Sequence, residues 1–224
     1  MDKKLRILIF VGMALAITTV FLYAPEERVM GPIQKIFYFH VASAWTGFFA
    51  FFVVFLSSML FLITKDSKFD RVAASSAELG TLFITIVLLT GPIWARVAWG
   101  TWWTWEPKLT TTLILWFIYI AYLVVRSSAT NETGKQSIAA IFGIVGFLNV
   151  PLVYFSVEWW GRRLHPPIVT GGGLTGEMVF TLVFTLVSFS LLYFYMLKQS
   201  YDLLQIKDTL AIRKREAINL ITWE

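Results

Sequence analysis

Six apolar runs set what this chain can become. They cover roughly residues 5–23, 41–63, 79–95, 109–125, 138–157 and 178–197. About 20 residues at ~1.5 Å rise cross the ~30 Å hydrocarbon layer of a bilayer, so each run suffices for one span. With 57% hydrophobic and only 15% charged residues, an all-α integral membrane protein is expected: one six-helix domain, 1–224, with no room for a separate soluble unit. Lys3, Lys4 and Arg6 precede the first run in the manner of a signal peptide. Its length and the Tyr-Ala-Pro-Glu-Glu-Arg sequence that follows argue instead for a retained helix.

The basic residues orient the bundle. Lys3, Lys4, Arg6, Lys65, Lys68, Arg71, Arg126, Lys135 and the five cations of the 198–224 tail fall on one side, which makes thirteen of nineteen. Arg28, Lys35, Arg96, Lys108, Arg162 and Arg163 fall on the other. By the positive-inside rule both termini are expected in the cytoplasm. Attraction to the inner leaflet then accounts for the net charge of +5 without nucleic acid. The chain has no cysteine, so disulfides and thiolate metal sites are excluded.

On the outer side the sequence departs from a plain bundle. Five of the ten tryptophans, Trp94, Trp99, Trp102, Trp103 and Trp105, lie within twelve residues, broken by Gly100 and closed by Glu106-Pro107-Lys108. Two or three would make an aromatic belt; five suggest a flat aromatic surface with an acid and a base at its edge. Gly91-Pro92 reads as a helix breaker ahead of it. The spacing of Trp94, Ala98, Trp102 and Trp105 fits a short amphipathic helix lying in the outer interface. Pro107 suits the first turn of the fourth span. Both capping at the positive helix end and a ligand role account for Glu106.

Elsewhere, His40 stands at the outer mouth of the second span, with Trp45 about a turn deeper. The phenylalanines at 48, 49, 51, 52 and 55 read as lipid-facing bulk, and Glu78 as an acid that snorkels to the headgroups. Ala139, Gly143 and Gly146 open a close helix approach, while Asn149 and Pro151 interrupt the outer half of the fifth span. The last outer loop holds His165, which the following Pro166-Pro167 keeps in an extended segment. Apolar residues at 203, 206, 210, 217 and 221 allow the tail to be an amphipathic docking helix or a solvated extension.

His40 and His165 are the only histidines, and both fall on the tryptophan face. Neutral imidazole is a good axial ligand for haem iron, and indoles pack well on a porphyrin. Arg96, Lys108, Arg162 and Arg163 offer charge-assisted hydrogen bonds to propionates. A non-covalent haem b with two histidine ligands is the expectation. Two histidines without an acid cluster make a poor zinc or iron enzyme centre.

The stretch Trp99-Gly-Thr-Trp-Trp-Thr-Trp-Glu-Pro-Lys-Leu-Thr110 resembles the tryptophan-rich signature of the haem-handling proteins of cytochrome c maturation. Phe39-His40-Val-Ala, Ser156-Val-Glu-Trp-Trp, Leu164-His165-Pro and the six-span size resemble the CcmC branch, haem exporter protein C. The resemblance implies that His40 and His165 are axial ligands (the metal set). It also implies that the tryptophan segment with Trp99, Gly100, Trp102, Trp103, Trp105, Glu106 and Lys108 shapes a haem platform, and Trp94, Arg162 and Arg163 complete the expected cofactor-binding set. It further implies a bacterial inner-membrane location and presentation of haem to the periplasmic chaperone CcmE. The partners it implies are the ABC-transporter subunits CcmA and CcmB and the small membrane protein CcmD. The chain departs from the family's Asp–small–Arg at Glu106-Pro107-Lys108, and an ammonium cannot replace a bidentate guanidinium. Haem handling without bond-making chemistry is the expected function, and a subunit moving a flat hydrophobic solute across the bilayer is the alternative.

Overall fold

The computed structural model describes residues 3–28, 30–127, 132–160 and 173–221. Among these, six α-helices follow one another: α1 Lys3–Thr18, α2 Ile36–Thr64, α3 Ser67–Trp99, α4 Pro107–Ser127, α5 Glu132–Trp160 and α6 Gly176–Ile221. A π-turn, Thr19–Tyr23, extends α1, and a 3-10 turn, Pro32–Lys35, leads into α2. All six are long and apolar enough to cross a membrane, and the chain is a multi-pass membrane protein.

The architecture grows from the α2–α3 hairpin. Lys65 adopts a left-handed conformation that closes α2, and its amide donates to the Phe61 carbonyl. Asp66 then caps α3 by accepting from the Lys68 amide at 2.9 Å. That backbone bond holds the Asp66 carboxyl below the usual carboxylate range. Beyond this tight turn the two helices pack closely, because Gly47 and Gly80 present no side chain. A Cβ at Gly80 would sit 2.5 Å from the Phe51 ring. Phe51 cannot yield, since it is fully buried and stacks on Tyr119 of α4 at 3.5 Å. Of the phenylalanines read as lipid-facing, this one is core instead: its position in the helix turns it toward α3 and α4, while Phe49 and Phe52 stay exposed.

The α4–α5 hairpin covers one side of this pair, and α6 with α1 covers the other. A Cβ at Gly143 would meet Ser58 and Val54 of α2 at 2.8 Å, which bears out the close approach expected there. On the other side the Ser76 hydroxyl donates to the Ala50 carbonyl while lying 2.7 Å from the Tyr193 hydroxyl. This polar knot ties α2, α3 and α6 together where no water can satisfy those groups.

Two expected interruptions do not occur. α3 runs unbroken through Gly91-Pro92 to Trp99, and α5 runs through Asn149 and Pro151 to Trp160. Proline removes one helical hydrogen bond, but unwinding in lipid would strand several more, so the helix persists. The Asn149 amide donates to the Thr111 carbonyl of α4 at 2.9 Å, a link between helices that leaves α5 intact. Glu78 is exposed, as expected, and its carboxylate accepts from Ser200.

The tail is a direct continuation of α6, with every residue from 205 to 219 exposed. At ~1.5 Å per residue its 46 residues reach about 70 Å, far beyond one bilayer. Arg71, at the start of α3, steadies the extension through an ion pair with Asp208 at 3.1 Å and by lying over the Tyr201 ring. At the same basic end Arg126 grips buried Asp70 with both guanidinium arms, at 2.5 and 3.0 Å.

Candidate functional site

Alternating helix directions bring the start of α2, the end of α3, the start of α4 and the end of α5 to one end of the bundle. His40, the tryptophan segment, Trp159 and Trp160 gather there. The basic turn at Lys65–Arg71 and Arg126 lie at the other end.

His40 occupies the second turn of α2 and is half-buried against α3. Its Nδ1 lies 2.9 Å from the Thr90 hydroxyl oxygen. Its Cε1 lies 3.4 Å from where a Cβ on Gly91 would stand. Thr90 and Trp94 are four residues apart in a continuous helix, so they share a face about 6 Å apart along the axis. The histidine is thus seated one turn from the first tryptophan. Trp45 points elsewhere: it is 55% exposed on the outside of α2.

The tryptophans divide between two kinds of backbone. Trp94 and Trp99 belong to α3, which ends at Gly100 with φ 73°, a left-handed cap that glycine adopts without strain. Arg96 donates to the Gly100 carbonyl and secures this end, so one arm of a proposed propionate partner closes the helix. Residues 101–106 are non-helical and carry Trp102, Trp103 and Trp105. The interfacial tryptophan segment is therefore a short loop rather than an amphipathic helix, because α3 claims its first half. Nor is it flat. Trp94 and Trp99 meet edge to face at 88°, and Trp103 and Trp105 do so at 80°. The ring quadrupole favours such pairs over a coplanar sheet. Trp102 and Trp105 remain 59% and 75% exposed. The Nε1 atoms of Trp94 and Trp103 and the hydroxyl of Thr104 are buried with no hydrogen-bond partner, so polar capacity lies just beneath the aromatic step.

Glu106 is wholly buried at the N-terminus of α4. Its carbonyl accepts from the Thr110 amide at 3.0 Å and from the Thr110 hydroxyl at 2.9 Å, and Pro107 takes the first helical position. These are the first bonds of the helix itself, and the positive helix end favours the buried carboxylate. Lys108, one residue into α4, is within electrostatic reach of Glu106. His165, Arg162 and Arg163 lie outside the described residues, as does the rest of 161–172. Among the described residues no group of three or more potential metal-binding side chains forms.

Thr90 and Gly91 are contacts of His40 that the sequence does not single out, because fifty positions separate them and only the α2–α3 packing joins them. Trp159 and Trp160 are 60% and 58% exposed on the same end. They had a visible signal in their nearness to His165 in the sequence.

Fold and site together define a multi-pass helical membrane protein with a histidine and a stepped tryptophan surface at one end. Residues 2–219 match the family CcmC, heme exporter protein C, and the chain belongs to that family. It is 35% identical over 164 residues to the putative cytochrome c biosynthesis ccmC-like mitochondrial protein of Marchantia polymorpha, covering 71% of this chain and 69% of that one. It is 32% identical over 174 residues to heme exporter protein C of Bradyrhizobium diazoefficiens, covering 76% and 66%. With heme exporter protein C of Paracoccus denitrificans it shares 28% over 204 residues, covering 89% and 82%. The chain spans less than two thirds of the length of the Bradyrhizobium protein.

Proposed function

We propose that this protein binds haem b non-covalently at its tryptophan end and hands it on during c-type cytochrome maturation. The observation that carries the reading is the seat of His40 on α3, one turn from Trp94 and on the end that exposes Trp102 and Trp105. Haem supplies an iron that accepts imidazole nitrogen and a large apolar face that indoles cover. His40 and His165 are the proposed ligands. Lys108, Arg162 and Arg163 are the proposed propionate partners, the ammonium acting as a point charge. Family membership supports the cargo. The protein positions and transfers haem and breaks no covalent bond.

The excess of lysine and arginine at the opposite end supports both termini in the cytoplasm of a bacterial inner membrane, with haem on the periplasmic side. The proposed recipient is the chaperone CcmE, and the proposed companions are CcmA, CcmB and CcmD. The alternative of a complete transport path within this chain needs ionisable groups at mid-bilayer. The buried polar groups between the ends are mostly serine and threonine hydroxyls with Asn149, which favours the handling role.

Haemin added to the purified protein is expected to give a six-coordinate, low-spin spectrum in both oxidation states. A spectrum indistinguishable from haemin in empty detergent micelles would refute the reading. A reporter active only in the cytoplasm is expected to work when fused after Glu224 and to be silent when inserted at Gly173. The reverse pattern would put the tryptophan end inside the cell.

A further inference from the structure

We propose that Thr90 sets the tautomer of His40, keeping the imidazole proton on Nδ1 and leaving Nε2 as the electron-pair donor. The inference deepens the proposed function, since it rests on His40 being the iron ligand.

A threonine hydroxyl has one proton and two lone pairs, while a neutral imidazole has one N–H and one bare nitrogen. Thr90 Oγ1 serves His40 and the carbonyls of its own helix, that of Val87 lying 3.4 Å away. It lies 2.7 Å from the Ile86 carbonyl, the next turn down α3, and 2.9 Å from His40 Nδ1. A carbonyl oxygen only accepts, so the hydroxyl proton goes to Ile86. The oxygen then has only lone pairs left for His40, and Nδ1 must bring the hydrogen. The distances agree with that direction: O–H···O bonds cluster near 2.7–2.8 Å and N–H···O bonds near 2.9–3.0 Å.

Two contacts on α3 then hold the ring. Thr90 fixes Nδ1, and the bare backbone at Gly91 receives the Cε1 edge at ordinary contact distance, 3.4 Å from a notional Cβ. Both contact residues lie just ahead of Pro92, within a helix that stays continuous. The uninterrupted α3 is therefore what carries the ring's support to a defined height below Trp94. Metal-bound histidines commonly donate their second N–H to an oxygen acceptor, which fixes the ring and raises the basicity of the ligating nitrogen. Thr90 is a positioning residue in this sense: it touches the ligand side chain and not the iron.

The test separates the hydrogen bond from the haem. In the His165→Gln background only His40 remains to give imidazole nitrogen signals. Nitrogen NMR of the haem-free, histidine-labelled protein at alkaline pH is expected to show a protonated Nδ1 and a bare Nε2. Thr90→Val keeps the shape but removes the acceptor, and the proton is expected to move wholly or partly to Nε2. Thr90→Ser is expected to restore the original pattern. In the chain with both histidines, haemin titration of Thr90→Val is expected to show affinity lowered on the order of 10–100-fold, with Thr90→Ser close to the starting protein. A protonated Nε2 in the unaltered threonine protein overturns the proposal, as does Thr90→Val with an unchanged tautomer or an unchanged haem affinity. Failure of the starting protein to bind haemin overturns the ligand reading instead. It is told apart because the nitrogen spectrum is recorded without haem.

Discussion

Replacing His40 by alanine is expected to convert a six-coordinate, low-spin haem spectrum to a five-coordinate one, and imidazole added to the buffer is expected to restore it. On the proposed ligation the mutation would remove one iron ligand, and free imidazole would supply the same donor atom. His40 is half-buried at the bundle end rather than sealed in the core, so a small ligand has access to its place. His165→Ala should behave alike if His165 supplies the second nitrogen. The double substitution should abolish the defined spectrum and leave loose association with the indoles. Met178 is a poor substitute for either histidine, because it is buried with Val20, Ala24, Tyr38 and Leu182. An unaltered spectrum and haem content in His40→Ala would end the proposal that this residue holds iron. The mutation should cost little stability, because it trims a partly buried ring and the hydrogen bond lost to Thr90 contributes about 1 kcal/mol.

Trp102, Trp103 and Trp105 changed together to alanine should leave membrane insertion intact and sharply reduce haem retention. Insertion depends on the six apolar helices, and the 101–106 loop contributes none of their hydrophobic length. Haem binding is another matter. One face of an indole offers about 100 Å² of apolar surface, worth about 2.5 kcal/mol at roughly 25 cal/mol per Å². Even if the three rings together supply only that much, affinity should fall on the order of 100-fold. Trp102→Ala and Trp105→Ala singly should account for most of the loss, since these two rings are exposed whereas Trp103 is half-buried. Equilibrium haemin titration and transfer to an acceptor protein measure the effect. Undiminished affinity in the triple variant would reduce the segment to a membrane anchor.

The spans were legible because lipid demands a run of apolar residues whatever the neighbours are. The helix ends were less so. α3 starts twelve residues before the expected 79 and outlasts Pro92, because polar and proline-containing stretches still gain from helical pairing once they emerge beside other helices. The tryptophan cluster was visible as composition, but its shape was not: periodicity placed Trp102 and Trp105 on a helix that Gly100 terminates. The partnership of His40 with Thr90 was invisible, since it is fixed by the approach of α2 and α3 at Gly47 and Gly80. Phe51 shows the same limit. Its neighbours at 49 and 52 face outward, and only Tyr119, arriving from α4, makes it interior.

α1 packs chiefly on α6: the Ser188 hydroxyl reaches the Gly12 carbonyl, and Met13 sits against the cluster of Phe189 and Tyr193. Four helices separate these two in the chain, so the ribosome makes α1 well before α6. α1 therefore meets its main partner only after four further helices have been made, whereas α2 and α3 meet as soon as their two-residue turn is made. Waiting is inexpensive for α1, because lipid tails solvate its exposed Leu8, Phe10 and Leu15 as well as a neighbouring helix would. The bundle thus closes from the middle outward, and α1 is made before α2 to α5 yet finds its place after them.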